Sequence, residues 1–223
     1  MNEFKYVKQV MLWHGRNAYK RAASLSQFVI HRGLIISMLQ MAFTIIFYSV
    51  AIPIYNGMLM LGYATFYTSL PVFALMLDED LSREKTLLYP NLYMTLRKSR
   101  EMNSKTFFIW VWISIYQGIV IMVMSLLLFE QSFVRIVTIT FTALILSELL
   151  NVFTTIHTIN RYIIGSQLLT ILIYWLSLLL FRNYLDTSKI DMDFLYKVGI
   201  IVAISWTPIY IAGCLRKKIA PSE

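Results

Sequence analysis

The chain has 223 residues, of which 58% are hydrophobic and 14% are charged, about half the charged share of an ordinary soluble domain. A soluble fold of this size could not bury so much apolar surface, and long apolar blocks rather than short alternating runs argue against a β-barrel. The net charge of +8 does not indicate a nucleic-acid partner, because the basic residues flank apolar blocks instead of forming one patch. The single cysteine, Cys214, excludes an intrachain disulfide and is interpreted as a small packed residue.

Six apolar blocks follow one another along the chain. Each is long enough to cross a hydrocarbon core of about 30 Å as a helix, and in lipid only a helix satisfies the backbone polar groups of a single segment. The sequence therefore predicts an all-α polytopic membrane bundle, one domain over 1–223, with six transmembrane helices. These are predicted at about 28–50, 58–77, 106–128, 133–153, 163–181 and 197–215.

The first predicted span continues backwards into the amino-terminal residues. Apolar residues keep an approximate helical spacing through residues 3–27, and no proline occurs before Pro53. This pattern predicts one helix over about 4–50, with residues 1–27 projecting into the cytoplasm as a stalk. An amphipathic helix lying on the membrane surface remains an equal alternative.

The distribution of basic residues predicts the orientation of the bundle. With the N-terminus on the cytoplasmic side, 16 of the 20 Lys and Arg residues fall on that side of the six predicted spans. Both termini are therefore predicted to be cytoplasmic.

Motifs for catalysis on this chain are absent from the sequence. It contains no phosphate-binding Gly-rich loop, no His-Glu-x-x-His zinc motif and no Gly-x-Ser-x-Gly nucleophile elbow. His31 and His157 are expected at the membrane edges, where a polar interfacial role is favoured over a metal site. We predict no catalytic residue and no metal ligand.

Glu148 is a charged residue well inside the fourth apolar block. It shares a helical face with Asn151, three residues on, so the face is expected to point into the bundle. Packing and a solute path remain open as roles for this face, with packing favoured.

The second block contains a proline within an apolar run. Pro71 follows Tyr67, Thr68 and Ser69, and a proline both kinks a helix and frees a carbonyl that nearby hydroxyls can use. A transport path and a plain structural kink are both consistent with this pattern.

Several motifs resemble those of type-IV P-type ATPases, the phospholipid flippases, in their C-terminal membrane region. HGRNAYKRAASLSQFVIHRG at 14–33 is similar to the family's Gly-Arg-x-Ser-Tyr-x-Arg segment and the helix after it, and GYATFYTSLPVFALMLDED at 62–80 to its Tyr-Asn-x-x-Phe-Thr-x-x-Pro stretch. YPNLY at 89–93 and NSKTFFIW at 103–110 match two further elements in the same order. The sequence QFVIHRGLIIS at 27–37 most resembles the branch of the family that acts without an accessory subunit.

The resemblance implies a set of residues for the lipid headgroup path. Arg32 and Gly33 stand where the family has Lys-Asn, so the charge is kept as a forked phosphate donor while the amide is lost. The full set implied for the path, with the proline helix included, is Arg32, Gly33, Tyr67, Thr68, Ser69 and Pro71.

The resemblance also implies what this chain needs from elsewhere. The Asp-Lys-Thr-Gly-Thr phosphorylation motif is not in the sequence, so ATP and Mg²⁺ are implied only for a full-length enzyme and no cofactor for this chain. Expected partners are membrane phospholipids and a separate N-terminal ATPase half, and the expected location is the Golgi, the endosome or the plasma membrane. A stand-alone six-helix transporter or channel and a non-catalytic membrane scaffold are the alternative interpretations.

Overall fold

A computed structural model describes residues 7, 10–48, 52–77, 83–89, 103–128, 132–156, 161–180, 185 and 192–219. These residues form eight α-helices and two π-helical segments, and the described part of the chain contains no β-strand. Five of its helices are long and apolar enough to cross a membrane. Most of the predicted loop at 78–105, and His157, lie outside the described residues.

The first helix is continuous over 37 residues. A π-helical turn at Val10–Gly15 leads directly into α1, Arg16–Ile46. At about 1.5 Å per residue its length is roughly 55 Å, well beyond a hydrocarbon core of about 30 Å. The helix ends at Ile46 rather than near residue 50, because Phe47 leaves helical geometry and Tyr48 adopts a left-handed φ of 54°.

The second predicted span is not one continuous helix. It consists of α2 (Gly57–Gly62), a π-helical segment (Tyr63–Tyr67) and α3 (Ser69–Leu75), which together we call the broken span. The π-helical segment and α3 meet at Thr68 and Ser69, which we call the join. Both hydroxyls there bond to backbone carbonyls: Thr68 Oγ1 donates to Tyr63 O at 2.6 Å, and Ser69 Oγ donates to Ala64 O at 3.0 Å. Pro71 supplies no backbone N–H to the carbonyl of Tyr67, which favours this break.

The later spans match the apolar blocks more closely. After the short α4 (Arg83–Leu88) come four long helices: α5 (Ser104–Leu128), α6 (Phe133–Thr155), α7 (Arg161–Leu180) and α8 (Met192–Ile219). α8 begins five residues before the predicted block. α6 lies at the centre, with 83% of its most apolar 18-residue window buried against 22% for α8.

Close packing of α1 against α5 organises the bundle. A Cβ added to Gly118 of α5 would lie 2.7 Å from Met38 Cβ and 3.1 Å from Ile35 O, so only glycine allows this approach. α8 packs against both α5 and α6, and α3 packs against α7. This arrangement places α1, α5, α6 and the broken span around a shared polar interior.

Candidate functional site

Arg32 of α1 reaches the join of the broken span. Its guanidinium Nη1 donates to Thr68 Oγ1 at 2.6 Å and lies 3.5 Å from the carbonyl oxygen of Ala64. The Thr68 hydroxyl already donates its hydrogen to Tyr63 O, so it can only accept from the guanidinium. Arg32 is half-buried, whereas Thr68 is buried. The structure thus brings together Arg32 and Thr68, which are 36 residues apart in the sequence.

Tyr63 connects this join to α6. The ring is buried, and the phenol oxygen lies 3.4 Å from Glu148 Oε1 and 3.5 Å from the backbone carbonyl of Arg32. Both distances are at the long end for a hydrogen bond. The phenol therefore contacts α1 and α6 from the broken span.

His31 is fully buried between helices, so its side chain does not have the interfacial role that the sequence predicted. Its Nδ1 lies 2.7 Å from Ser114 Oγ, which donates its own hydrogen to Trp110 O at 2.8 Å. Ser114 must therefore accept, and the imidazole donates through Nδ1. The side chain of His31 lies on the face of α1 that packs against α5. Hydropathy along the chain does not show which face of a helix meets another helix.

Asn151 of α6 completes the hydrogen bonding of His31. Its side-chain amide donates to His31 Nε2 at 3.0 Å and to Gln117 Oε1 at 3.0 Å, while Gln117 Nε2 lies 3.4 Å from Asn151 Oδ1. Together with Ser114 and Glu148 these residues form a buried polar cluster joining α1, α5 and α6. The cluster consists of His31, Ser114, Gln117, Glu148 and Asn151, none of them more than 3% exposed.

Glu148 is the member of this cluster with the fewest partners. Its Oε1 lies 3.6 Å from His31 Nε2 and 3.4 Å from the Tyr63 hydroxyl, and its Oε2 has no hydrogen-bond partner among the described residues. The group is 2% exposed. A buried carboxyl oxygen without a donor is destabilising, which calls for a reason beyond packing.

The remaining predicted site residues have different surroundings. Tyr67 packs its ring against Phe141 and Tyr174, with ring centroids 5.9 and 5.6 Å apart, instead of joining Arg32. Gly33 is exposed, and a Cβ added there would meet nothing within 4 Å. Pro71 is buried, and Ser69 meets the Arg32 site only through the Ala64 carbonyl that both contact.

Sequence reasoning missed Ser114 and Gln117, and it did not identify Tyr63 as a link. Ser114 and Gln117 are three residues apart in an otherwise apolar block, so they share one face of α5. Uncharged polar residues are common in membrane helices, so each alone is a weak signal. Their shared face was the signal that could have identified them.

No metal centre is formed by the described residues, since no three His, Cys, Asp or Glu side chains there come together in a group that could hold an ion. The site is a polar interior between helices, with one guanidinium at a helix break. Chemically, such an arrangement can bind an anion or a dipolar group.

Comparison with known proteins gives a match along the whole chain. A family described as "Phospholipid-translocating P-type ATPase C-terminal" matches residues 1–222. "Probable phospholipid-transporting ATPase IIB" of Danio rerio is 49% identical over 222 residues, which are 99% of this chain and 20% of that protein. "Probable phospholipid-transporting ATPase tat-5" of Caenorhabditis elegans is 45% identical over 99% of this chain and 21% of its own length.

A more distant relative covers the same region. "Phospholipid-transporting ATPase NEO1" of Saccharomyces cerevisiae is 38% identical over 225 residues, with 99% of this chain and 20% of the relative covered. The chain spans about a fifth of the length of these curated relatives.

Proposed function

The chain belongs to the phospholipid-translocating P-type ATPase family, as its C-terminal membrane region, and we propose that it forms part of the lipid path of an ATP-driven phospholipid translocase. The resemblance drawn from the sequence motifs is confirmed by this membership. The observation that carries the proposal is the guanidinium of Arg32 held at the join of the broken span.

An arginine inside a membrane helix needs a compensating interaction or a function, because a charge is costly to place in the hydrocarbon region. Among the described residues, the hydrogen-bond acceptors of Arg32 are a hydroxyl and a peptide carbonyl, both uncharged. A phosphate is a stronger acceptor, since it can bind the planar guanidinium through two parallel hydrogen bonds. A lipid phosphate would therefore compete well with Thr68 and Ala64 for Arg32.

The break supplies further polar groups to the same path. Backbone that leaves α-helical geometry at membrane depth is tolerated where protein or a polar cavity covers it. Thr68 and Ser69 satisfy the carbonyls of Tyr63 and Ala64 with hydroxyls that can rotate to other partners. The proposed path therefore consists of Arg32, Thr68 and Ser69, with open space at the neighbouring Gly33, where a Cβ would meet nothing within 4 Å.

We extend the proposal to the arrangement of the chain in the membrane. The broken span crosses as a sixth span beside the five long helices, which leaves both termini cytoplasmic. The excess length of the first helix supports a cytoplasmic stalk at its amino-terminal end. The ATPase domains, on the same polypeptide or on a separate N-terminal chain, would supply ATP and Mg²⁺ chemistry and move the stalk. The proposed location is the Golgi, the endosome or the plasma membrane.

Lipid-stimulated ATP turnover of the full-length protein in liposomes tests the headgroup role. We expect Arg32→Ala to raise the lipid KM by about tenfold or more, in line with the loss of a hydrogen bond to a charged group. Arg32→Lys should recover only part of this affinity because an ammonium cannot bind phosphate bidentately. Arg135→Ala, which removes an arginine from α6, is the matched control. An unchanged KM in Arg32→Ala would reject the headgroup role.

Cysteine accessibility tests the six crossings. In a Cys214→Ser background, cysteines introduced at Glu84 and near the N-terminus should react with an impermeant reagent from the same side of the membrane. Reaction from opposite sides would contradict the proposed topology.

A further inference from the structure

Glu148 contacts both elements that form the Arg32 site. From α6, its Oε1 faces the hydroxyl of Tyr63 on the broken span and Nε2 of His31 on α1. His31 and Arg32 are consecutive residues, and Tyr63 begins the π-helical segment that ends just before Thr68. One buried carboxyl group thus lies next to both α1 and the broken span, the two elements that form the Arg32 site.

Stability alone does not account for this carboxyl group. Oε2 has no hydrogen-bond partner among the described residues, and the two contacts of Oε1 are 3.4 and 3.6 Å long. A leucine of similar volume would avoid the penalty of an unsatisfied buried oxygen.

Direct contact of Glu148 with a lipid headgroup is not consistent with this geometry. The side chain is 2% exposed, and Tyr63, also 2% exposed, occupies the space next to its Oε1. The Arg32 guanidinium, in contrast, is half-buried and borders the exposed residues Gly33 and Ala64. Any influence of Glu148 on the headgroup must therefore pass through the elements that hold Arg32.

We propose that Glu148 is a positioning residue for Arg32, holding α1 and the broken span at the spacing at which the guanidinium meets Thr68 and Ala64. The inference rests on the proposed lipid path. Tyr63 makes the connection on one side, because its hydroxyl lies between Glu148 Oε1 and the Arg32 carbonyl. On the other side, the Glu148 carboxyl group packs 3.6 Å from Nε2 of His31, whose ring Ser114 and Asn151 fix. The titratable and charged groups of the described residues around Glu148 are His31, Arg32 and Tyr63.

A spin-label distance measurement on the full-length protein tests the positioning itself. Labels on Gly33→Cys and Ala64→Cys, both at exposed positions, report the spacing of α1 and the broken span in a Cys214→Ser background. Glu148→Leu, which has a similar volume and no acceptor for the Tyr63 hydroxyl, should lengthen or broaden this distance distribution. Ser147→Ala is the matched control, because Ser147 is the adjacent buried residue of α6 and contacts Ser205 of α8 at 3.3 Å instead. An unchanged distribution in Glu148→Leu would overturn the proposal.

A double-mutant cycle then tests whether Glu148 acts through Arg32. Glu148→Leu should raise the lipid KM by about three- to tenfold while kcat changes by less than about twofold, and this effect should vanish in an Arg32→Ala background. Tyr63→Phe removes the same connection from the broken span and should behave alike, even if Glu148→Leu folds poorly. Additive effects on KM would overturn the proposal. If the Glu148 variant alters the label spacing but Arg32→Ala by itself leaves the lipid KM unchanged, the proposed function is rejected and the positioning role stands.

Discussion

Two spans of this molecule contain an internal proline, and they have different structures. At Pro71 the span is broken into two short α-helices with a π-helical segment between them. At Pro208 the helix α8 runs without interruption from Met192 to Ile219. The hydroxyl of Tyr116 on α5 donates to the carbonyl of Ile204 at 3.1 Å, which is the carbonyl that the missing N–H of Pro208 would have bound.

The comparison shows that a proline alone does not determine whether a membrane helix breaks. A donor from the neighbouring helix satisfies the carbonyl in α8, and the helix remains intact. In the broken span, the hydroxyls of Thr68 and Ser69 donate to carbonyls five residues earlier in the chain. The guanidinium of Arg32 on α1 donates to Thr68. Pro208 is accommodated by packing against α5, whereas Pro71 lies in the span whose join receives the guanidinium of Arg32.

The largest expected effect follows from restoring the helix at the break. Pro71→Ala provides an N–H for the Tyr67 carbonyl, which favours α-helical geometry and rotates Thr68 away from Arg32. We expect the lipid KM of the full-length protein to rise by about tenfold with thermal stability equal or higher, a loss of about 1.4 kcal/mol in lipid affinity. Pro208→Ala is the control and should leave KM unchanged. An equal rise of the lipid KM in both variants would contradict the view that only the proline of the broken span affects lipid binding.

The second prediction concerns the donor that keeps α8 intact. Tyr116→Phe leaves the Ile204 carbonyl without this donor and should lower the free energy of unfolding by about 1 kcal/mol. Thermal unfolding in detergent measures the loss, and lipid KM should not move. Adding Pro208→Ala should recover the stability, because the new N–H takes over the carbonyl. Failure of that rescue would contradict the assigned role of Tyr116.

A smaller effect is expected from the hydroxyl that holds Arg32. Thr68→Val removes the 2.6 Å contact while Arg32 keeps the Ala64 carbonyl, so KM should change by only about two- to fivefold. Thr65→Val is the matched control, since Thr65 is exposed and its hydroxyl bonds to Leu61 O of its own helix. A response to Thr65→Val as large as that to Thr68→Val would show that any hydroxyl of this segment matters.

The smallest effect is expected at Gly33. Gly33→Asn restores the amide of the family motif at a helical position where nothing lies within 4 Å of the new Cβ. The free energy of unfolding should change by less than about 0.5 kcal/mol, because glycine and asparagine are both weak helix formers. A large loss of thermal stability would mean that the space beside Arg32 is filled.

The sequence predicts the long helices well, and it predicts a kink at Pro71 but not the π-helical segment before it. Apolar block length identifies α5, α6 and α7 to within two residues at each end, because membrane thickness determines that length. Hydropathy treats the segment before and after Pro71 as one block, although side chains at 68 and 69 change its backbone hydrogen bonding. Whether a proline breaks a helix depends on partners from other helices, which a single sequence does not identify.

Part of the site could be predicted from the sequence. Thr68 and Pro71 stand out as a hydroxyl and a proline within an apolar run, and Arg32 was expected from the family resemblance. That these residues line a lipid path stays a prediction. The burial of His31 and its bonds to Ser114 and Asn151 could not be predicted, since they depend on which face of α1 meets α5 and α6. Tyr67 packs in an aromatic cluster, and its place beside the path also stays a prediction.

The central claim is that the guanidinium of Arg32 receives the lipid phosphate at the break near Pro71. A structure of the full-length protein with a bound phospholipid tests it most directly. We expect the phosphate within about 2.7–2.9 Å of Arg32, with the guanidinium moved from Thr68 toward the ligand. A phosphate bound elsewhere, with Arg32 still on Thr68, would contradict it.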